Sequence, residues 1–78
     1  MPTILRIGSY SFHFYSDELR EPPHIHVGTP DGECKFWLEP IRLARNKGVS
    51  PRIIREIEKL VFENQNILKE KYNGYHKP

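Results

Sequence analysis

The feature that most limits what this chain can fold into is a helix signal filling its C-terminal part. Ser50 is suited to cap a helix N-terminus, and Pro51 to the first helical position, where a missing N–H costs nothing. Beyond them Ile53, Ile54, Ile57, Leu60, Val61, Asn64, Ile67 and Leu68 recur at three- and four-residue spacing, and Gly74 can stop the run. The spacing predicts one helix over about 51–73. Such a helix would be about 33 Å long, against ~17–20 Å for an ordinary strand, so its C-terminal end is expected to overhang any sheet it covers. Phe62 lies off the main apolar stripe, which leaves part of the helix for another chain to cover. A homo- or hetero-oligomer is expected on that basis.

Ahead of the helix the period changes from helical to alternating. Thr3 to Ile7 and Tyr10 to Tyr15 read as strands joined by Gly8-Ser9, a pair suited to a type II′ turn with glycine first. Tyr10, Phe12 and Phe14 share one face of the second strand and Ser11, His13 and Tyr15 the other. A polar loop from Ser16 to Pro23 leads to a strand at His24 to Gly28, and Pro30-Asp31-Gly32 turns the chain into another at about Glu33 to Leu38. There Cys34, Phe36 and Leu38 alternate with Lys35 and Trp37. Pro40 closes the sheet region, with a short helical turn expected around Ile41 to Ala44. The expected fold class is α+β: a small antiparallel sheet of three or four strands, made of two hairpins within 3–38, packed against one long C-terminal helix. A basic connection over 39–50 joins the two parts.

A chain of 78 residues makes a single domain, 1–78, with a thin core, because a domain of that size buries only about 60% of its unfolded surface. The lone Cys34 rules out an internal disulfide and a thiolate zinc cluster, which fits a reducing cytoplasm. No signal peptide is evident near Arg6, and no stretch approaches the ~20 apolar residues that span a bilayer, so a soluble cytoplasmic protein with no membrane partner is expected.

The chemistry concentrates in Glu21-Pro22-Pro23-His24-Ile25-His26-Val27. On a strand, His24 and His26 point to one face while Ile25 and Val27 point to the other, with the imidazoles rooted about 6.6 Å apart. Three readings stand side by side. In the first, one imidazole takes a proton from an RNA 2′-hydroxyl and the other protonates the leaving 5′ oxygen, work suited to a group whose unperturbed pKa is near 6.5. No metal or other cofactor is then needed. In the second, His24 and His26 join Glu21, Asp17 or His13 around a divalent ion. In the third, the histidines merely hydrogen-bond loop carbonyls behind a stiff Pro22-Pro23 approach. His13 and Tyr15 share a face and can join or orient the pair if their strands are adjacent. The acid–base reading gives catalytic candidates His24, His26 and Glu21.

Net charge is only +2, but Arg42, Arg45, Lys47, Arg52 and Arg55 fall in a run with no acidic residue among them. With Arg20 they are the candidate phosphate-binding residues, since guanidinium presents planar donors to phosphate oxygens. The same run reads equally as a solvated loop and helix start. Trp37 is a candidate to stack a base, against packing on a loop or partner. Cys34 is expected to be a buried thiol and His76 a tail residue.

Several segments together carry a resemblance: Pro2-Thr3-Ile4-Leu5-Arg6-Ile7-Gly8, Phe12-x-Phe14-Tyr15-Ser16-x-Glu18, the Pro22-Pro23-His24-x-His26 core, Lys35-Phe36-Trp37-Leu38 and Arg55-Glu56-Ile57. Over nearly its whole length the chain resembles the small bacterial proteins of domain-of-unknown-function family 4160. The resemblance implies a cytoplasmic, partner-dependent protein, encoded beside a small protein of family 2442 in a toxin–antitoxin pair. It implies no catalytic residue. The leading expectation is the toxin of a type II module, a metal-independent endoribonuclease acting on RNA, whose family-2442-like antitoxin docks on the overhanging helix. The alternatives are an antitoxin or nucleic-acid-binding regulator, against which the lack of a helix-turn-helix pattern counts, and a non-catalytic metal-binding domain.

Overall fold

The computed structural model describes residues 3–15 and 21–75, so Asp17, Arg20 and His76 lie outside the described residues. The chain is α+β, with strands β1 (Thr3–Ile7), β2 (Tyr10–His13), β3 (His24–Gly28), β4 (Glu33–Leu38) and β5 (Ile41–Lys47), then helices α1 (Pro51–Glu63) and α2 (Gln65–Tyr75). The strands form one antiparallel sheet in the order β1-β2-β3-β4-β5, each paired with its neighbour in sequence. Gly8 turns β1 into β2 at φ 58° while Ser9 keeps a negative φ, as a type II′ turn requires. Thr29 closes the β3–β4 turn, its amide and hydroxyl both donating to the Gly32 carbonyl.

Two expectations are corrected. Residues 41–47 form a fifth strand rather than a helical turn within a basic connection. Ile41 pairs with Leu38 and Leu43 with Phe36, so their alternation continues the apolar face of β4, and the Glu39–Pro40 connection, with a cis peptide bond, is short enough for a hairpin. The single long helix is two helices, broken at Asn64. The Asn64 side-chain amide donates to the Leu60 carbonyl at 2.8 Å, taking up an acceptor that the helix ladder would otherwise use alone, and the backbone there leaves helical geometry at φ −111° and ψ 14°. The start of α1 is as expected, with Pro51 in its first turn and the Ser50 hydroxyl accepting from the Ile53 amide.

The core lies on one face of the sheet. Phe12, Phe14, Ile25, Val27, Cys34, Phe36 and Leu38 meet Ile57 and Val61 of α1 and Leu68 and Tyr72 of α2. Because the helix breaks, α2 does not simply overhang: Tyr72 packs edge-on against Phe14 at 5.3 Å, and its hydroxyl donates to the Glu21 carbonyl. Leu68 is therefore buried, while Ile67 and Phe62 remain exposed. At the other end of the core the Tyr10 hydroxyl donates to the Glu56 carboxylate, which holds the phenol above its ordinary value. No helix among the described residues is long and apolar enough to cross a membrane.

Candidate functional site

Antiparallel pairing sets side chains in rows across the face opposite the helices. His13 pairs with His26, His26 with Lys35 and Lys35 with Arg45, so one row crosses four strands. Beside it runs Ser11, Gly28, Glu33 and Lys47, and on its other side His24, Trp37 and Arg42. Simple alternation would send Arg42 and Arg45 to opposite faces. They share one because Ala44 has no partner in the ladder, an extra residue that restores the phase between Leu43 and Arg45.

The rows converge on one carboxylate oxygen. Glu33 Oε2 accepts from the Tyr15 hydroxyl at 2.8 Å and from His13 Nε2 at 3.1 Å, and lies 3.6 Å from His26 Nδ1. A carboxylate can only accept, so the His13 bond requires the proton on Nε2. The last distance is too long for a hydrogen bond but within ion-pair range when His26 is protonated. The His13 and His26 rings stack at 5.8 Å with only 17° between planes, and Tyr15 meets His26 edge-on at 4.2 Å. Near-parallel rings do not aim their lone pairs at a common point, and among the described residues no group of three or more His, Cys, Asp or Glu could hold a metal ion. A depression of about 190 Å³ adjoins the cluster, lined by Tyr15, His26, Glu33, Lys35, Arg45 and Lys47. In the row beside the cluster, a Cβ at Gly28 would come within 3.1 Å of the Ser11 hydroxyl and 3.9 Å of the His13 ring, so glycine leaves room for that ring.

His24 and His26 do share a face, but not the same surroundings. His24 is fully buried, its Nδ1 donating to the Pro22 carbonyl at 2.9 Å and its ring edge-on to Trp37 and Tyr72. His26 keeps 7% of its surface and faces the depression. The two imidazoles that share a face are therefore not equivalent, and the histidine that accompanies His26 at Glu33 is His13. Glu21 is turned toward Lys35, whose ammonium also sits 4.7 Å above the Trp37 ring. The basic run is divided: Arg42, Arg45 and Lys47 line the polar face, whereas Arg52 and Arg55 are exposed on α1, which covers the other face. Cys34 is buried on the core side, and desolvation pushes its thiol up to about 11, with Glu33 adding to the shift.

Sequence reasoning anticipated His13 and Tyr15 as partners of the pair and missed Glu33 and Lys35. The signal was available, because Glu33, Lys35 and Trp37 alternate along one strand and a hairpin around Thr29–Gly32 sets Glu33 opposite Gly28, next to His26. No curated protein and no solved structure matches the chain. The family described as Domain of unknown function (DUF4160) matches residues 9–73, and the chain belongs to that family.

Proposed function

We propose that the polar face of the sheet is the active site of a small endoribonuclease, the toxin of a two-gene module, with His13 and His26 as its acid and base. The observation that supports this reading is the meeting of His13 and His26 at Glu33 beside a depression lined by Lys35, Arg45 and Lys47. One neutral imidazole takes the proton from an RNA 2′-hydroxyl as its oxygen attacks the adjacent phosphorus. The other imidazole, protonated, gives its proton to the departing 5′ oxygen, leaving a 2′,3′-cyclic phosphate and a 5′-hydroxyl. Glu33 is a positioning residue that orients both rings, and the cations offset the charge that gathers on the phosphorane. His24 then serves the fold rather than the chemistry.

The test is cleavage of a 5′-labelled single-stranded RNA by the purified protein, with product ends identified. His13→Ala and His26→Ala should each lower kcat/KM by about 10²–10⁴-fold, and the wild-type rate should be bell-shaped in pH because one ring must be neutral and the other charged. Full activity in either variant sinks the proposal. His24→Ala should instead lower thermal stability, since it empties a buried site and orphans the Pro22 carbonyl.

The partner reading rests on Phe62, which is 63% exposed beside the partly buried Ile41 in a groove also lined by Arg55, Glu58 and Lys59. The proposed occupant is the neighbouring family-2442-like antitoxin. Co-expression and sedimentation should give a complex that Phe62→Ser weakens by tenfold or more, and an unchanged complex would place the contact elsewhere.

A further inference from the structure

A second hollow lies against Trp37, framed by Pro22, Pro40, Glu39 and Arg42. The reading of the Glu33 cluster as a catalytic centre makes no use of it. The geometry points to a nucleobase-stacking subsite here, one that holds a base next to the phosphate processed at the Glu33 cluster; the proposal rests on the endoribonuclease reading and extends it.

Four observations carry it. Trp37 is half-buried, so its ring is held rather than free to swing, yet it still lines a hollow. Lys35 sets its ammonium 4.7 Å from the ring centroid and His24 meets the ring edge-on at 5.9 Å, so the indole is fixed in place where it borders the hollow. Arg42 is the cross-strand partner of Trp37, which brings a planar guanidinium beside the ring, and arginine both stacks on bases and donates to their edges. Glu39 supplies an acceptor at the rim for a base amino group.

The surroundings decide the class of ligand. Trp37 and Lys35 are alternate residues of β4, so the side chains that border the hollow and the depression are rooted about 6–7 Å apart along the strand. On the neighbouring strand Arg45 lies opposite Lys35 and Lys47 opposite Glu33, so positive charge runs along β5 beside the depression. A ligand that presents a flat ring to Trp37 and an anion to Arg45 and Lys47 is a nucleotide chain. Stacking of this kind tolerates many sequences, because every base has a π-face.

Trp37 is the single tryptophan of the chain, so its fluorescence reports on the subsite directly. The full-length protein is titrated with a 2′-O-methyl hexa-adenylate, which binds without being cut, and with an abasic oligonucleotide carrying the same phosphates. The base-containing chain should quench Trp37 saturably, at a concentration at least about tenfold lower than the abasic one needs to bind. By anisotropy of a labelled hexa-adenylate, Trp37→Ala should weaken binding about tenfold or more, and Trp37→Phe should retain most of it. Arg42→Ala, at an exposed position, should weaken it without disturbing the fold. Equal affinity for the two oligonucleotides, or saturated binding with silent fluorescence, overturns the subsite. So does quenching by an acidic peptide but not by the oligonucleotide. RNA cleavage with silent Trp37 refutes the subsite and leaves the catalytic reading standing; base-dependent quenching without cleavage does the reverse.

Discussion

Glu33 shows how one carboxylate can organise several residues that the sequence sets far apart. Its Oε2 is the common point of Tyr15, His13 and His26, although Tyr15 and Glu33 are 18 positions apart. The alternation of Ser11, His13 and Tyr15 places two of these partners on one face by inspection. Glu33 escapes notice because its role depends on which strand pairs with which, and the hydrophobic pattern and turns that set register do not mark Glu33 itself. Its neighbour Cys34 points the other way and carries a separate prediction. Burial raises the thiol from 9.0 to about 11, so the folded state holds that proton more tightly than the unfolded chain. The stabilisation this gives is complete below about 9.0 and is lost as the pH climbs to about 11. Denaturant midpoints followed across that range should fall more steeply for wild type than for Cys34→Ala, and a thiol reagent at pH 8 should react slowly until the protein is unfolded. A fast native reaction would show the thiol to be accessible.

Among the elements, α2 departs most from expectation. Its apolar residues were legible, but the residue that decides their arrangement, Asn64, sits on the apolar stripe and is easily passed over as one more member of it. An asparagine on that stripe is better read as a break, because its amide competes for the carbonyl four residues back. Once the helix breaks, Leu68 and Tyr72 enter the core and Ile67 does not. Leu68→Ala should therefore cost about 2–5 kcal/mol in chemical denaturation, whereas Ile67→Ala should change stability by less than about 0.5 kcal/mol. Equal effects would mean that the two residues are equivalently placed. The fifth strand was obscured for a related reason. Its outward positions are Arg42, Arg45 and Lys47, and the unpaired Ala44 breaks the alternation by which a strand is recognised.

At the scale of the whole molecule, the sheet separates two sets of cations that look continuous in sequence. Arg45 and Lys47 lie on the polar face, and Arg52 and Arg55 on the helix that covers the opposite one. Single-stranded binding releases about 0.7 counterion per neutralised phosphate, so Arg45→Ala or Lys47→Ala should each lower the slope of log affinity against log salt by about 0.7. Arg52→Ala and Arg55→Ala should leave that slope unchanged, and a loss of slope there would mean that RNA also runs over the helices. The sequential strand order has a consequence for biosynthesis. Each hairpin can close as soon as its second strand leaves the ribosome, so the sheet assembles from the N-terminus by local pairing. Its apolar side, with Ile25, Val27, Phe36 and Leu38, stays bare until Ile57, Val61, Leu68 and Tyr72 have been translated. The nascent chain therefore carries the cations of its polar face before it has a finished core. During that interval it is at its stickiest, both toward chaperones and toward the ribosomal RNA around it.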